Sequence, residues 1–217
     1  MSEPRVLILG PPGAGKGTQS ANIAEAFGIE HVTTGDALRA NKGMDISDMD
    51  LEYDTPGEYM DQGELVPDPV VDAMVEEALS GVAGFVLDGY PRNEAQVEHL
   101  ETVTDLDVVL YLEVSREELM GRLTGRRVCR DCARNYHVEY DPPEEDGVCD
   151  DCGGDLYRRE DDRPDAVETR IEEYETQTTP VIEHYEETGD LVRIDGETSP
   201  GKVWSRVRAA IEDGIDD

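Results

Sequence analysis

With 217 residues the chain can fold around one sizeable core with smaller excursions, burying about 70% of its unfolded surface. Asp and Glu number 52 against 19 Lys and Arg, a net charge of -33, which disfavours nucleic acid and anionic membranes as partners. The acids are interleaved with apolar periodicity and not gathered into a tail. A solvated acidic shell on a folded protein is therefore expected, of the kind that works in molar salt, where a Debye length of about 3 Å screens self-repulsion.

Val6-Leu7-Ile8-Leu9 opens the order as an apolar run typical of a buried strand. Gly10 to Thr18 follows, G-P-P-G-A-G-K-G-T, and then Ile23, Ala24, Ala26 and Phe27 fall at roughly helical spacing. Strand, glycine-rich loop and helix in that order is the setting of a phosphate-binding loop. Gly13, Ala14, Gly15, Gly17 and Thr18 would turn backbone N–H groups toward phosphate oxygens, and Lys16 would add a point charge. Gly17 stands where a Ser or Thr would ligate magnesium, and Thr18 comes one residue later. Magnesium is accordingly expected on substrate phosphates and water more than on this loop.

Residues 28–32 read as a short connection into a second strand, and Thr34 is placed to cap a helix over 36–40. Residues 41–63 are rich in Asp, Gly and Met, and read as a small helical excursion outside the core. Pro67 and Pro69 punctuate the start of a helix through Leu79. Gly84 to Asp88 is a buried strand ending in an acid, followed by Gly89-Tyr90-Pro91-Arg92 and a helix over 93–102. A strand over 107–114, a helix over 117–123, a last strand over 191–195 and a terminal helix over 203–211 complete the pattern. Strands alternating with helices predict an α/β protein with a doubly wound parallel sheet and ligands at its carboxyl edge. There is no internal repeat. No apolar run approaches the roughly 18 residues of a membrane span, and the run at 6–9 is too short for an export signal, so a cytoplasmic location is expected.

Residues 125–160 differ in texture, with little apolar periodicity and all four cysteines: Cys129-x2-Cys132, sixteen residues, then Cys149-x2-Cys152. That spacing matches a zinc ribbon, and four thiolates would close the coordination sphere of a structural metal. Disulfides are the alternative, disfavoured without an export signal. A nucleic-acid-binding ribbon is a second, weakened by Asp131, Glu139, Asp141, Glu144, Glu145 and Asp146 around it. His137 is read as a lone polar residue of the excursion and not as a ligand.

The loop, T-T-G-D-x-L-R, D-G-Y-P-R-x-x-x-Q, G-R-R, R-x-D-D and the four-cysteine insert stand in one order, and the whole chain from Val6 onward resembles the adenylate kinases with a long, zinc-bearing lid. The resemblance implies reversible transfer of the terminal phosphoryl group of ATP to AMP, giving two ADP, on a P-loop nucleoside monophosphate kinase fold. It implies a core of 1–33, 64–122 and 163–217, an AMP-binding segment at 34–63 and a lid at 123–162. AMP would be held by Thr34, Arg39, Glu64, Leu65, Val66, Gly89, Tyr90, Pro91, Arg92 and Gln96, with Gln96 reading the adenine edge. ATP would be held by Gly13 to Thr18, Arg126, Asn135, Tyr136 and, after Asp195-Gly196, Ser199. Arg159 and Arg170 would bridge the two phosphate chains, and Arg122 would reach the transferring group. Asp88 would order the water shell of Mg2+, and Asp161 and Asp162 would close the lid's return unless they form a solvated charge run. Arg5, Arg116, Arg193, Arg206 and Arg208 are expected in ordinary surface pairs. Arg39, Arg92, Arg122, Arg126, Arg159 and Arg170, with Lys16, would concentrate seven of the scarce positive charges at one polyanion site. A monomer is expected. Kinases for UMP or CMP, which would usually have a short lid, for GMP, or a non-enzymatic ATP-binding zinc protein are the competing readings.

Overall fold

The computed structural model describes residues 3–62 and 66–216. The expected AMP-site residues Glu64 and Leu65 lie outside them.

Strand β1 (Arg5–Leu9) runs through the loop into helix α1 (Lys16–Phe27), and β2 (Glu30–Thr33) passes directly into α2 (Thr34–Ala40). Helix α2 therefore starts two residues earlier than the capping pattern predicts. Thr34 forms its first turn, and its hydroxyl donates across to Gly89 O at 3.2 Å instead of capping. After a single 3-10 turn at Ser47–Met49 come α3 (Pro56–Gln62), α4 (Asp68–Leu79), β3 (Phe85–Asp88), α5 (Glu94–Val103), β4 (Val108–Glu113) and α6 (Arg116–Gly125). Strands β5 (Arg126–Cys129), β6 (Asn135–His137) and β7 (Leu156–Tyr157) form a small sheet of their own. Helix α7 (Pro164–Thr188), β8 (Leu191–Asp195) and α8 (Pro200–Asp216) complete the chain.

The main sheet is parallel, in the order β2-β3-β1-β4-β8. Side chains alternate across a strand, so Val6 and Ile8 of β1 face one layer and Leu7 and Leu9 the other. The first layer is closed by Ile23 of α1, Leu119 and Leu123 of α6, and Val203, Val207 and Ile211 of α8. Val75 and Leu79 of α4 with Val97 and Leu100 of α5 close the second. Full burial of each such aliphatic side chain contributes about 1.5–3 kcal/mol. This is the expected α/β architecture with both sheet faces covered.

Two parts of the chain carry more structure than their patterning suggests. Helix α7, the longest at 25 residues, has no counterpart in the sequence reading. It supplies Val167 and Ile171 to one layer and Val181 and Tyr185 to the other. The polar stretch before α4 builds a third cluster, in which Ile46 and Tyr59 are buried against Val70 and Met74 with Val66 packed alongside. No helix among the described residues is long and apolar enough to cross a membrane.

Candidate active site

Three chain crossings meet at the carboxyl edge of the sheet: the loop after β1, the turn after β3, and the β2–α2 junction. Register sets Asp88 beside Ile8 on one side and Thr33 on the other. In the loop, Gly13 takes φ +86°, and a Cβ there would come within 2.8 Å of Leu123 on α6, so a side chain is excluded by both backbone and packing. The Lys16 ammonium folds back to donate to Gly10 O at 2.6 Å and Pro11 O at 3.1 Å. Burial lowers its pKa; Asp88 opposes that shift, while the nearby Arg92 and Arg170 add to it. Lys16, Asp88, Arg92 and Arg170 thus share one electrostatic neighbourhood. Among the described residues no carboxylate lies within ion-pair distance of Lys16 or of Arg92.

Arg92 Nε donates to Gly89 O at 2.8 Å, and one of its terminal nitrogens lies 3.4 Å from Thr34 Oγ1. Gly89 has φ +87°, and a Cβ there would stand 2.9 Å from that hydroxyl, which accounts for glycine at this crossing. Tyr90 and Pro91, joined by a cis peptide, point inward; the Tyr90 hydroxyl donates to Asp72 Oδ1 at 2.7 Å, and burial raises both pKa values. Gln96 is 3% exposed and already engaged, its Oε1 accepting from Arg92 N and its Nε2 donating to Asp68 Oδ1, both at 2.8 Å. The Arg39 guanidinium lies over Gly35 in the first turn of α2. Ser199 sits at the start of α8, its carbonyl accepting from Lys202 and Val203.

The other arginines expected at the site, Arg122, Arg126, Arg159 and Arg170, hold acids. Arg122 donates to Glu118 Oε1 at 2.8 Å and to Gly196 O at 2.9 Å. Arg126 grips Asp162 through two nitrogens, at 2.8 and 2.5 Å, and Arg170 reaches the same carboxylate at 3.4 Å and Asp161 at 3.0 Å. Arg159 pairs with Asp161 at 3.2 Å. Asp162 is fully buried, so it is no part of a solvated charge run; it ties the first residue of β5 to α7. Arg116, Arg193, Arg206 and Arg208 form the expected exposed pairs, with Glu172, Glu186, Asp195 and Glu212 among their partners, whereas the Arg5 side chain donates to a backbone oxygen, Ala83 O, at 3.3 Å. Asp68 and Asp72 belong to the neighbourhood of Gln96 and Tyr90 and were not anticipated. Asp68 directly after Pro67, at a helix start, was the available signal.

In the small sheet the four Sγ atoms lie within 4.8 Å of one another. The Cys129–Cys152 and Cys132–Cys149 pairs are at 3.4 and 3.5 Å, far beyond a covalent bond of about 2.05 Å. A tetrahedron of thiolates around zinc has edges of about 3.8 Å, so the donor set fits that ion. Two matching turns present the cysteines, Ala133 N–H and Gly153 N–H returning to Cys129 O and Cys149 O at 3.1 and 2.8 Å. Tyr136 is buried here, not on the open face: its hydroxyl lies 3.4 Å from Cys149 Sγ and accepts from Asp150 N at 2.7 Å. The hydroxyl bond holds the Cys149 thiol down to about 6, while contacts with neighbouring thiols help push Cys152 up to about 12. Asn135, beside it, is exposed. His137 is not in the thiol cluster; its Nε2 is 3.2 Å from Gly121 O, so it links β6 to α6.

A phosphate loop at the carboxyl edge of a five-stranded parallel sheet, with converging cations and a cysteine-bearing insert, defines a P-loop protein of the nucleoside monophosphate kinase type. The Adenylate kinase family model matches residues 8–190. An adenylate kinase of Haloarcula marismortui is 65% identical over 98% of both chains. One from Halobacterium salinarum is 60% identical over 98% of this chain and 99% of its own, and one from Carboxydothermus hydrogenoformans 48% over 96% and 99%. The chain belongs to the adenylate kinase family.

Proposed function

We propose that the chain transfers the terminal phosphoryl group of ATP to AMP, reversibly, giving two ADP. The observation that carries this reading is the convergence of Lys16, Arg92 and Arg170, the first two beside Asp88, with Lys16 and Arg92 lacking a carboxylate partner within ion-pair distance among the described residues. Gathered positive charge at a half-buried edge is unfavourable until a polyanion arrives, and two phosphate chains end to end supply one.

The nucleophile in this reading is an oxygen of the AMP phosphate, largely ionised at neutral pH because its second pKa is about 6. No general base is required. Backbone N–H groups from Gly13 to Thr18 and the Lys16 ammonium hold the β- and γ-phosphates, and Lys16 exchanges two carbonyl contacts for phosphate oxygens without stranding an anion. Arg92 holds the AMP phosphate, and Arg122, Arg126, Arg159 and Arg170 offset charge spread over the transferring group. Thr34, Arg39, Val66, Gly89 and Gln96 bind AMP; Tyr90 and Pro91 shape its wall from within. Asn135 and the Tyr136 backbone face ATP, with Ser199 near its adenine.

Asp88 suits Mg2+ because its carboxylate lies 3.9 Å from where a side chain at Gly17 would begin, beside a loop position with no ligand of its own. The ion would supply charge neutralisation to bound phosphates. Cys129, Cys132, Cys149 and Cys152 would hold Zn2+ as a structural staple, since four protein ligands leave no open position. Segments 34–63 and 123–162 close over AMP and ATP against a core of 1–33, 64–122 and 163–217, excluding water that would hydrolyse ATP. A monomer working in a salt-rich cytoplasm belongs to the same reading, with no nucleic acid or membrane partner.

Rates of phosphoryl transfer from ATP to AMP, UMP, CMP and GMP in molar KCl test the proposal. AMP is expected to be the best acceptor and Lys16→Ala to abolish transfer. Best activity with GMP, or full activity in Lys16→Ala, would overturn it.

A further inference from the structure

A closed set of hydrogen bonds joins the start of α5 to the first turn of α4. Asp68 Oδ1 accepts from Gln96 Nε2 at 2.8 Å, and Asp68 Oδ2 accepts from Asn93 Nδ2 at 2.9 Å. On their other sides, Gln96 Oε1 accepts from the Arg92 backbone N–H at 2.8 Å and Asn93 Oδ1 from the Gln96 N–H at 3.0 Å. A carboxylate only accepts and a backbone N–H only donates, so each amide has a single permitted orientation. Turning the Gln96 amide over would set its oxygen against the Asp68 carboxylate and its NH2 against the Arg92 N–H. Two hydrogen bonds would be lost at a side chain only 3% exposed.

We infer that Asp68 is a specificity-determining positioning residue, which by fixing the Gln96 amide restricts the acceptor nucleotide to bases of one hydrogen-bonding polarity. The inference rests on the proposed reading in which Gln96 faces the acceptor base. The amide retains one lone pair on Oε1 and one hydrogen on Nε2 after its internal bonds are made. A base that complements them must present a donor and an acceptor side by side, donor to Oε1 and acceptor to Nε2. Adenine does so with its 6-amino group and ring N1. Hypoxanthine and guanine carry oxygen at position 6 and N–H at position 1, the reverse, and uracil is reversed likewise. Cytosine has adenine's polarity, so this device leaves its exclusion to size. A glutamine with no partners would turn over and accept either polarity; one held from both sides makes the wrong base bury unpaired groups.

Inosine monophosphate is the probe, because its base differs from that of AMP only at positions 1 and 6. In the unmodified enzyme in molar KCl, kcat/KM for AMP is expected to exceed that for inosine monophosphate by about 10⁴-fold. Asp68→Asn keeps the size but offers an NH2 to a turned Gln96, and is expected to cut that ratio at least tenfold, chiefly through a lower KM for inosine monophosphate. Asp68→Ser removes the carboxylate differently and should move the ratio the same way. Gln96→Leu should abolish most of the discrimination. Unchanged ratios in both Asp68 variants, beside a Gln96→Leu enzyme that has lost discrimination, would overturn the role of Asp68 and leave the reading of Gln96 standing. An unchanged ratio in Gln96→Leu would overturn both.

Discussion

Replacing Asp162 by Asn tests whether the junction between β5 and α7 is held by a buried charge. The carboxylate is fully buried and serves two guanidinium groups, Arg126 through two nitrogens and Arg170 through one. Removing one partner of a buried ion pair costs about 3–5 kcal/mol because the other charge is left uncompensated. Here the Arg126 and Arg170 side chains are 22% and 30% exposed, so water reaches part of each and the loss falls to roughly 2–3 kcal/mol. At about 2–4 °C per kcal/mol for a chain of this size, the unfolding midpoint should drop by roughly 4–12 °C. Calorimetry in molar KCl is the assay, since salt screens exposed pairs and leaves buried ones largely intact. Asp161→Asn is the internal control: that carboxylate is 39% exposed, and the change should cost about 1 kcal/mol or less. Equal small shifts for both variants would refute the assignment and return Asp162 to the class of solvated acids.

The Tyr136 hydroxyl accepts from Asp150 N and so has its own proton for Cys149 Sγ, which keeps that thiol near 6. A depressed thiol pKa contributes stability above the unfolded value of about 8.5 and loses it as pH falls through the folded value. In protein loaded with zinc, Tyr136→Phe should therefore raise the pH at which acid releases the metal, measured with a colorimetric chelator; an unmoved midpoint would refute the role of the hydroxyl. The pKa of Lys16 is lowered by burial and by Arg92 and Arg170, and phosphate binding should raise it again. Between those two values ATP binding should take up a proton and weaken as pH rises; equal calorimetric heats in buffers of different ionisation enthalpy would count against it. With a net charge of -33, thermal stability should rise from about 0.1 M to molar KCl, and a flat profile would remove the acidic-shell account.

The central sheet was legible because its strands announce themselves: β1, β3 and β4 are short apolar runs bounded by Gly or Asp, and β1 and β3 each precede a turn with a chemical signature. Helix α7 was not, for a physical reason. Its buried positions include Thr178, and T-Q-T-T-P at 176–180 looks like a breaker. In the fold the hydroxyls of Thr169, Thr176 and Thr179 bond back to carbonyls four residues earlier, so the groups that usually compete with a helix join it. Pro180 is accommodated in the interior of the same helix. The small sheet escaped detection because a thiol cluster, and not apolar periodicity, organises it; the cysteine spacing revealed the cluster but not the strands. The spacing of Asp161 and Asp162 could not show which one is buried, since neighbouring acids look alike until their partners from β5 and α7 are in place.

The site's cations fall into two kinds, and the difference bears on how an acidic chain would bind polyanions in salt. Lys16 and Arg92 are held by carbonyl oxygens, which give way to phosphate without leaving a charge unpaired. Arg126 is held by Asp162 along one edge, through Nε and one terminal nitrogen, and a guanidinium has five N–H donors, so the remaining donors stay presented. The carboxylate lowers the net charge of the Arg126 and Arg170 pair but fixes where their hydrogens point. At low ionic strength that would be a poor exchange, because long-range attraction would do much of the work. In molar salt attraction fades within about 3 Å, and only donors already aimed at contact distance retain their effect. A chain that carries 52 acids and keeps its few cations in set orientations gives up field strength that concentrated salt would have screened in any case.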